Sequence, residues 1–231
     1  MKVAIDSSQS SGSVAIHDGL HLLYSSYFDI RITHSETLMP ELDRALQMCG
    51  AKPADITEVY VCSGPGSFTG LRIGIATAKG IAYGLNVPVI SYNSLEMAAL
   101  SCYSRSSRIL SVIDAKMQEV YAALYDVDFQ ELIAPCVLKP EELLSWPLQG
   151  SLVCGSAAAI LEPFAAEYQL QITCQAHRIP KAELLFYLSE YRDPKIYADD
   201  DLAQLEPTYL RESTAQIKAN LASGKQVDQQ R

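Results

Sequence analysis

A chain of 231 residues, 48% of them hydrophobic and 19% charged, has the composition of a soluble globular protein and is long enough for one large domain or two lobes. Its net charge of −9 is uneven, at about −3 for residues 1–103, about −7 for 104–211 and about +1 for 212–231. Because polyphosphate backbones bind to positive surfaces, this balance excludes strong binding of RNA or DNA by the chain alone.

The chain lacks the signals of membrane insertion, secretion and paired cysteine chemistry. No apolar run reaches the ~18 residues of a membrane span, and no basic segment followed by an apolar core stands at the start. The six cysteines lie at least 13 residues apart, which excludes the close spacing of zinc and redox motifs. We therefore expect a cytoplasmic protein without membrane contact, whose cysteines are buried thiols.

Three antiparallel strands are predicted at the start. Residues 2–7 and 12–17 are short apolar runs, and Asp18 with Gly19 forms a hairpin signal that leads into a third strand at 20–28.

An amphipathic helix follows. Apolar residues fall at helical spacing from His34 onward, and Gly50 is a typical stop. Thr33 or Ser35 is the expected cap.

A glycine-rich loop lies between the next strand and helix. The strand at 56–62 leads into residues 63–72, and an almost wholly apolar helix covers 70–85. A strand at 88–91 and a helix at 94–102 complete the first half. The order of elements is therefore βββαβαβα.

This order of strands and helices partly repeats in the second half. The predicted elements are strands at 109–114, 119–126, 132–138 and 152–154 and a helix at 156–168. The sequence thus predicts an α/β protein of two lobes, residues 1–103 and 104–211, followed by a polar tail at 212–231 that frays or forms a marginal helix.

The glycine loop and the first strand end are candidates for nucleotide binding. Asp6 and Ser7 suit a carboxylate that holds hydrated magnesium beside hydroxyl and N–H groups that contact phosphate. Gly64 and Gly66 would let phosphates approach the backbone, although the loop fits neither a Walker motif nor GxGxxG. An aspartate that merely caps a turn is an equally good interpretation of Asp6.

Other chemistry is poorly supported. Asp114, Ala115 and Lys116 follow the first strand of the second half, where a phosphotransferase usually needs glycine, so a second phosphate site is expected to be degraded or absent. His34 has Leu38 four residues on, where a two-histidine metal site needs a second histidine. No GxSxG elbow or Cys–His pairing is present, and we expect neither a metal nor a hydrolase site.

The helix at 70–85 is small or apolar on every side. Its glycines cost helix stability, about 1 kcal/mol each relative to alanine, yet they let another backbone approach closely. Such a helix is buried on two sides. Either the C-terminal segment of this chain covers the second side, or this helix and the one at 34–50 form a subunit interface.

Several segments together resemble the bacterial TsaB (YeaZ) family over about residues 1–211. The most specific match runs from Gly64 to Gly74 and follows the His34 helix. The segments that carry the resemblance are 6–8, 14–16, 34–40, 64–74, 114–121 and 207–211.

The resemblance implies a two-lobed fold of the actin and Hsp70 ATPase type, with ribonuclease-H-like, mixed five-stranded sheets flanked by helices. It also implies a role in forming N6-threonylcarbamoyladenosine at position 37 of tRNAs that read codons starting with A. In that system the paralogue TsaD transfers the threonylcarbamoyl group to tRNA, using a metal ion held by two histidines. TsaB is the inactive partner of TsaD, and a third subunit, TsaE, is an ATPase. Leu38 and the Ala115-Lys116 pair fit the inactive subunit.

By this analogy the helices at 34–50 and 70–85 form the interface with TsaD. TsaE is expected to join this pair, and tRNA is expected to bind only to the assembled complex. A homodimer through the same face is expected when the chain is alone. No cofactor is required, although ATP or ADP at the subunit boundary is compatible with the resemblance. The alternatives are a phosphotransferase of the same superfamily and a glycoprotease-type metallopeptidase. The expected interface residues are Leu38, Met39, Leu42, Leu46, Leu71, Ile73, Gly74, Ala78, Gly80 and Ile81.

Overall fold

The computed structural model describes residues 1–29, 34–179 and 181–211. The predicted cap at Thr33 and the predicted tail at 212–231 lie outside these residues. Within them, no helix has the length and apolar character of a membrane span.

Two sheets form the framework of the protein. The first has the strand order β11-β5-β4-β1-β2-β3 and the second β10-β9-β6-β7-β8. The strands are β1 Lys2–Asp6, β2 Gly12–His17, β3 Leu22–Phe28, β4 Glu58–Cys62, β5 Val89–Tyr92, β6 Ile109–Lys116, β7 Glu119–Tyr125, β8 Glu131–Leu138, β9 Leu152–Cys154, β10 Gln171–Ile172 and β11 Lys195–Tyr197. Each sheet is mixed, since β1 is antiparallel to β2 and parallel to β4, and β6 is antiparallel to β7 and parallel to β9.

Helices cover both faces of the first sheet. The α-helices are α1 His34–Met48, α2 Phe68–Leu85, α3 Ser94–Leu100 and α4 Leu184–Tyr187. Short 3₁₀ segments lie at Pro53–Asp55, Pro140–Ser145, Ala158–Phe164, Gln175–His177, Leu188–Glu190 and Asp199–Gln204. This arrangement is the two-lobed α/β fold that the sequence predicted.

The period of two along the strands sorts side chains into three buried layers. Val3 and Ile5 face α1 and α2, whereas Ala4 between them faces the interior between the two sheets. That interior also contains α3, α4 and one face of the second sheet, including the fully buried Tyr125. A third layer covers the outer face of the second sheet. The two lobes therefore share one central core.

The first sheet has six strands, where five were expected, because β11 pairs antiparallel with β5. Residues 199–205 then continue along the same lobe, where Leu202 and Leu205 are buried against the sheet. The predicted boundary of the second lobe at residue 211 thus needs correction, since the chain returns to the first lobe from about residue 195. A three-residue strand with one long-range partner has little sequence signal of its own.

Two predicted elements differ for local reasons. Residues 156–168 form a 3₁₀ segment only at Ala158–Phe164, because Pro163 within it has no N–H for an α-helical bond. The third strand begins at residue 22 and not at 20. The Asp18 carboxylate accepts hydrogen bonds from the N–H groups of Leu20 and His21 at 2.7 and 2.6 Å, which keeps these residues in the turn.

Candidate functional site

The glycine loop is packed against the turn after β1. Ser67 N–H donates to the Ser8 carbonyl at 2.6 Å, and a Cβ at Gly66 would lie only 2.0 Å from that same oxygen. About two helical turns further on, a Cβ at Gly74 would lie 2.3 Å from Ser7 Oγ. These glycines are therefore required for close contact with the same chain, so they need not be explained by an external ligand.

Asp6 lies beneath this contact and not in an open site. Its side chain is fully buried, Oδ1 accepts a hydrogen bond from the Ser8 N–H at 3.0 Å, and Oδ2 has no hydrogen-bond partner among the described residues. Burial raises the pKa of this carboxyl, and the hydrogen bonds from Ser8 offset part of the rise. Asp6 is thus poorly placed to hold a hydrated magnesium ion, which needs an accessible, ionised carboxylate.

A cleft of about 440 Å³ lies between the two lobes. It separates the turn after β1 from the turn between β6 and β7. Of the four residues predicted to contact a nucleotide, Gly66 lines this cleft. Asp6 and Ser7 are buried, as is Gly64, whose φ is +104° and which packs on Leu71. Ser7 Oγ donates to the Gly70 carbonyl at 2.8 Å.

The opposite wall of the cleft is the turn between β6 and β7, where Lys116 neutralises Asp114. Lys116 Nζ lies 2.5 Å from one carboxylate oxygen of Asp114, and Lys116 N–H donates to the other at 2.7 Å. Burial acts to raise the pKa of Asp114, yet the Lys116 contacts hold it below its ordinary value. Since Lys116 occupies this carboxylate and Asp6 is buried, the residues present do not fit a magnesium–nucleotide complex held by two aspartates.

The C-terminal segment forms one side of the cleft. Tyr209 stacks on Phe68 with ring centroids 4.8 Å apart, and the Arg72 guanidinium lies 3.9 Å from the centroid of the Phe68 ring. Arg211 forms an ion pair with Glu119 at 2.7 Å. Residues from the last described segment therefore bridge the start of α2 and the second lobe, a role that no spacing in the sequence indicated.

The first residues of α1 make structural contacts. His34 Nε2 lies 3.0 Å from the Gln9 carbonyl oxygen, and Leu38 is buried against the first sheet. In the described ranges, no three His, Cys, Asp or Glu side chains form a group that could bind a metal.

A second concave region, here called the α1–α2 groove, lies on the outer side of the first lobe. It has a volume of about 420 Å³. Its only charged lining residue, among those described, is Asp43. The groove is lined by Met39, Leu42, Asp43, Leu46, Pro53, Ile56, Ala76, Thr77, Gly80, Ile81, Gly84 and Leu85.

The ten predicted interface residues occupy three kinds of position in the structure. Five of them line the groove, namely Met39, Leu42, Leu46, Gly80 and Ile81, and of these Leu42 and Leu46 are at the same time buried in the first-lobe core. Four others are buried on the side of the helices that faces the sheet or the glycine loop, namely Leu38, Leu71, Gly74 and Ala78. Ile73 is half-buried beside the first-lobe core.

The prediction that Leu38, Leu71, Gly74 and Ala78 contact a partner needs correction, because these residues are buried within this chain. Leu71, Gly74, Ala78 and Ala82 recur at helical spacing on the buried side of α2. Because α2 is small or apolar all round, the sequence pattern did not distinguish this stripe from the open one at Ala76, Gly80 and Gly84.

The first of the two sequence interpretations of α2, a cover supplied by the C-terminal segment of this chain, holds for one flank of the helix, and the second, a subunit interface, stays a prediction. Lys79 Nζ donates to the Ala203 carbonyl at 3.0 Å, and Leu202 packs in the same core as Ala82. The C-terminal segment thus covers one flank of the helix. Within the described part of the chain, the flank with Gly80 has no cover, and a Cβ placed there would meet nothing within 4 Å.

Comparisons with known proteins agree with this architecture. The family model for TsaD, tRNA N6-adenosine threonylcarbamoyltransferase, matches residues 30–219. The tRNA threonylcarbamoyladenosine biosynthesis protein TsaB of Bacillus subtilis is 34% identical over 53% of this chain and 54% of its own length, and that of Escherichia coli is 35% identical over 60% and 62%. The chain thus spans little more than half the length of these relatives.

A solved structure covers far more of the chain. YeaZ from Pseudomonas aeruginosa is 26% identical with a TM-score of 0.72, over 90% of this chain and 99% of the other. A second structure with the same TM-score and identity is described as similar to peptidase YeaZ from that organism. The chain therefore belongs to the TsaD family that the model describes and, within it, to the TsaB (YeaZ) proteins.

Proposed function

We propose that this chain is a non-catalytic, cytoplasmic subunit required for N6-threonylcarbamoyladenosine formation at position 37 of tRNAs that read codons starting with A. It acts by binding and activating a TsaD protein, which carries out the transfer. The observation that carries the proposal is the α1–α2 groove, an apolar concave surface that the described residues leave uncovered.

The chemistry of the groove favours a protein partner. Met39 is 50% exposed at its edge, and the glycines of α2 present bare backbone on its floor. Such a surface fits the apolar face of another helix, since small residues permit close approach and buried methionine adapts to an irregular partner. Without TsaD, a second copy of the chain is expected to occupy the same groove.

The state of the inter-lobe cleft supports a non-catalytic role. A phosphotransferase of this superfamily would need an accessible carboxylate for magnesium, whereas Asp6 is buried and Asp114 is paired with Lys116. The net charge of −9 likewise supports tRNA being held by other subunits, with TsaE as the third protein of the complex.

Co-purification tests the proposal. The chain is co-expressed with tagged TsaD from the same organism, and we expect a stable pair that Met39→Glu disrupts. Tyr83→Glu is the matched control, because Tyr83 lies on α2, is 84% exposed and does not line the groove. If Tyr83→Glu no longer co-purifies with TsaD while Met39→Glu still does, the interface lies outside the α1–α2 groove.

The second candidate is an ATP-dependent phosphotransferase, favoured by the cleft volume of about 440 Å³, which falls within the usual range for small-molecule sites. Calorimetry with Mg-ATP distinguishes the two functions. We expect no binding to the chain alone, and the same titration of the TsaD pair tests for ATP or ADP at the subunit boundary. Stoichiometric zinc or iron in the purified chain would instead support a metallopeptidase.

A further inference from the structure

The strand β3 forms one edge of the first sheet. Among the described strands it pairs only with β2, so the N–H and C=O groups along its other side have no strand partner. Its seven residues, Leu22–Phe28, include no charged residue, proline or glycine, and its register with β2 shifts only at the hairpin end, beside His17. An edge of this kind readily pairs with a strand of another chain.

The other three sheet edges carry features that prevent such pairing. The strand β10 has two residues, and β11 has three, of which the first is Lys195. The strand β8 has eight residues, but it contains Pro135, and its register with β7 is irregular. Short length, lysine, proline and irregular pairing all protect a sheet edge. Within the described part of the chain, β3 is therefore the edge that is open to a further strand.

The exposed side chains of β3 match those of a second copy. Leu23, Ser25 and Tyr27 alternate on one face of the strand, and Leu23 and Tyr27 are 44% and 42% exposed. When two copies of the strand pair antiparallel about a twofold axis with all seven residues overlapping, Ser25 faces itself and Leu23 faces Tyr27 of the second copy. Apolar side chains then meet apolar ones, and the two serine hydroxyls at the axis can hydrogen-bond to each other.

The charges just beyond the strand also match. In the same register the exposed His21, which lies 3.7 Å from Asp18 of its own chain, faces the exposed Asp29 of the second copy. A basic and an acidic side chain therefore meet at each end of the pair, whereas like charges in facing positions would oppose it. This self-complementarity favours a second copy of the chain over a different protein.

We propose that β3 pairs antiparallel with β3 of a second copy and joins the two six-stranded sheets into one continuous sheet. The contact uses the same surface on both copies, so it closes at two chains. No residue of β3 lines the α1–α2 groove, and the groove stays free for another protein. This homodimer is distinct from the one expected at the groove and does not depend on TsaD binding.

Analytical ultracentrifugation at micromolar concentration tests the proposal. The full chain carries Met39→Glu, which removes association through the α1–α2 groove, and we expect it to sediment as a dimer. Adding Ser25→Lys places two ammonium groups at the twofold axis and should give a monomer. Adding Ser25→Thr is the matched control, because threonine keeps the hydroxyl and favours strands, and it should stay dimeric. A monomeric Met39→Glu chain, or a dimer that persists with Ser25→Lys, overturns the proposal.

Disulfide cross-linking tests the register, and it does so even if Ser25→Lys impairs folding. In Ser25→Cys the two new thiols belong to facing residues, whose Cα atoms lie about 4.5–5.5 Å apart, within the range that a disulfide spans. Leu23→Cys is the control, because its counterpart in the second copy lies four residues away along the strand, or about 13 Å.

Both variants also carry Cys174→Ser, which removes the exposed native cysteine. After mild oxidation we expect a covalent dimer from Ser25→Cys, which dithiothreitol separates, and none from Leu23→Cys. A covalent dimer from Leu23→Cys alone, or from neither variant, contradicts pairing in this register.

Discussion

Replacement of Gly80 by arginine should have opposite effects on folding and on assembly. Gly80 lies in the interior of α2, and a Cβ there would meet no atom within 4 Å. Glycine is about 0.8–1.0 kcal/mol less favourable than alanine in a helix, and arginine is close to alanine. Gly80→Arg should therefore stabilise the isolated chain by about 0.5–1 kcal/mol, or raise Tm by roughly 1–4 °C for a protein of this size.

The same side chain would enter the α1–α2 groove. An unpaired guanidinium buried against an apolar partner costs several kcal/mol, and about 3 kcal/mol corresponds to a loss of affinity of roughly 100-fold. Thermal unfolding followed by circular dichroism gives the first quantity, and titration calorimetry with TsaD gives the second. A higher Tm with a lost TsaD interaction is the expected pair of results.

Two controls separate surface effects from folding effects. Tyr83→Arg adds the same charge on the neighbouring flank and should leave affinity within about twofold. Gly74→Ala, whose Cβ would meet Ser7 Oγ at 2.3 Å, should instead destabilise the fold by about 1–3 kcal/mol. If Gly80→Arg binds TsaD with wild-type affinity, the groove is not the interface. If it unfolds earlier than the wild type, the helix face has been assigned incorrectly.

Three further predictions concern the residues around the cleft and the core. Gly66→Ala should lower the free energy of unfolding by about 1–3 kcal/mol in urea titrations, because its Cβ would lie 2.0 Å from the Ser8 carbonyl oxygen; unchanged stability would refute the packing role. Burial raises the pKa of Asp6 in the folded protein, so the free energy of unfolding should fall as the pH rises above 3.8, the pKa of this carboxyl in the unfolded chain. Asp6→Asn should lose this pH dependence, and a variant that keeps the wild-type pH profile would refute the assignment to Asp6. Arg192→Ala should cost about 1–3 kcal/mol, because it leaves the partly buried Glu96 carboxylate without the guanidinium that lies 3.1 Å away; an unchanged free energy of unfolding would show that water replaces the arginine.

Local patterns predicted most of the elements correctly. Alternation of apolar residues defined the strands, and the Asp18-Gly19 turn and the glycine loop marked boundaries that the structure retains. Ser67 caps α2 by accepting a hydrogen bond from the Gly70 N–H at 3.2 Å, a signal present in the sequence, although the helix was predicted to begin at residue 70 and begins at Phe68.

Long-range contacts were harder to predict. The atoms that crowd Gly66 and Gly74 belong to Ser8 and Ser7, 58 and 67 positions earlier in the chain, so a glycine needed for internal packing resembled one needed for a ligand. The sequence identified the nearly apolar character of α2 but not its open side, because a helix without a polar face has no amphipathic direction.

The return of the chain to the first lobe was also missed. The strand β11 has three residues and gains its stability from pairing with β5, more than 100 positions away. Its sequence, Lys195–Tyr197, gives too short an alternation for a strand to be predicted.

A reconstituted tRNA modification assay tests the central claim, that this chain is required without being catalytic. The transfer reaction with TsaD, TsaE and tRNA is run with the wild-type chain, without it, with Asp6→Asn and with Gly80→Arg. The account predicts product with the wild type and Asp6→Asn, and little or none without the chain or with Gly80→Arg. Product formed by this chain in the absence of TsaD, or loss of product with Asp6→Asn in a fully folded complex, would contradict it.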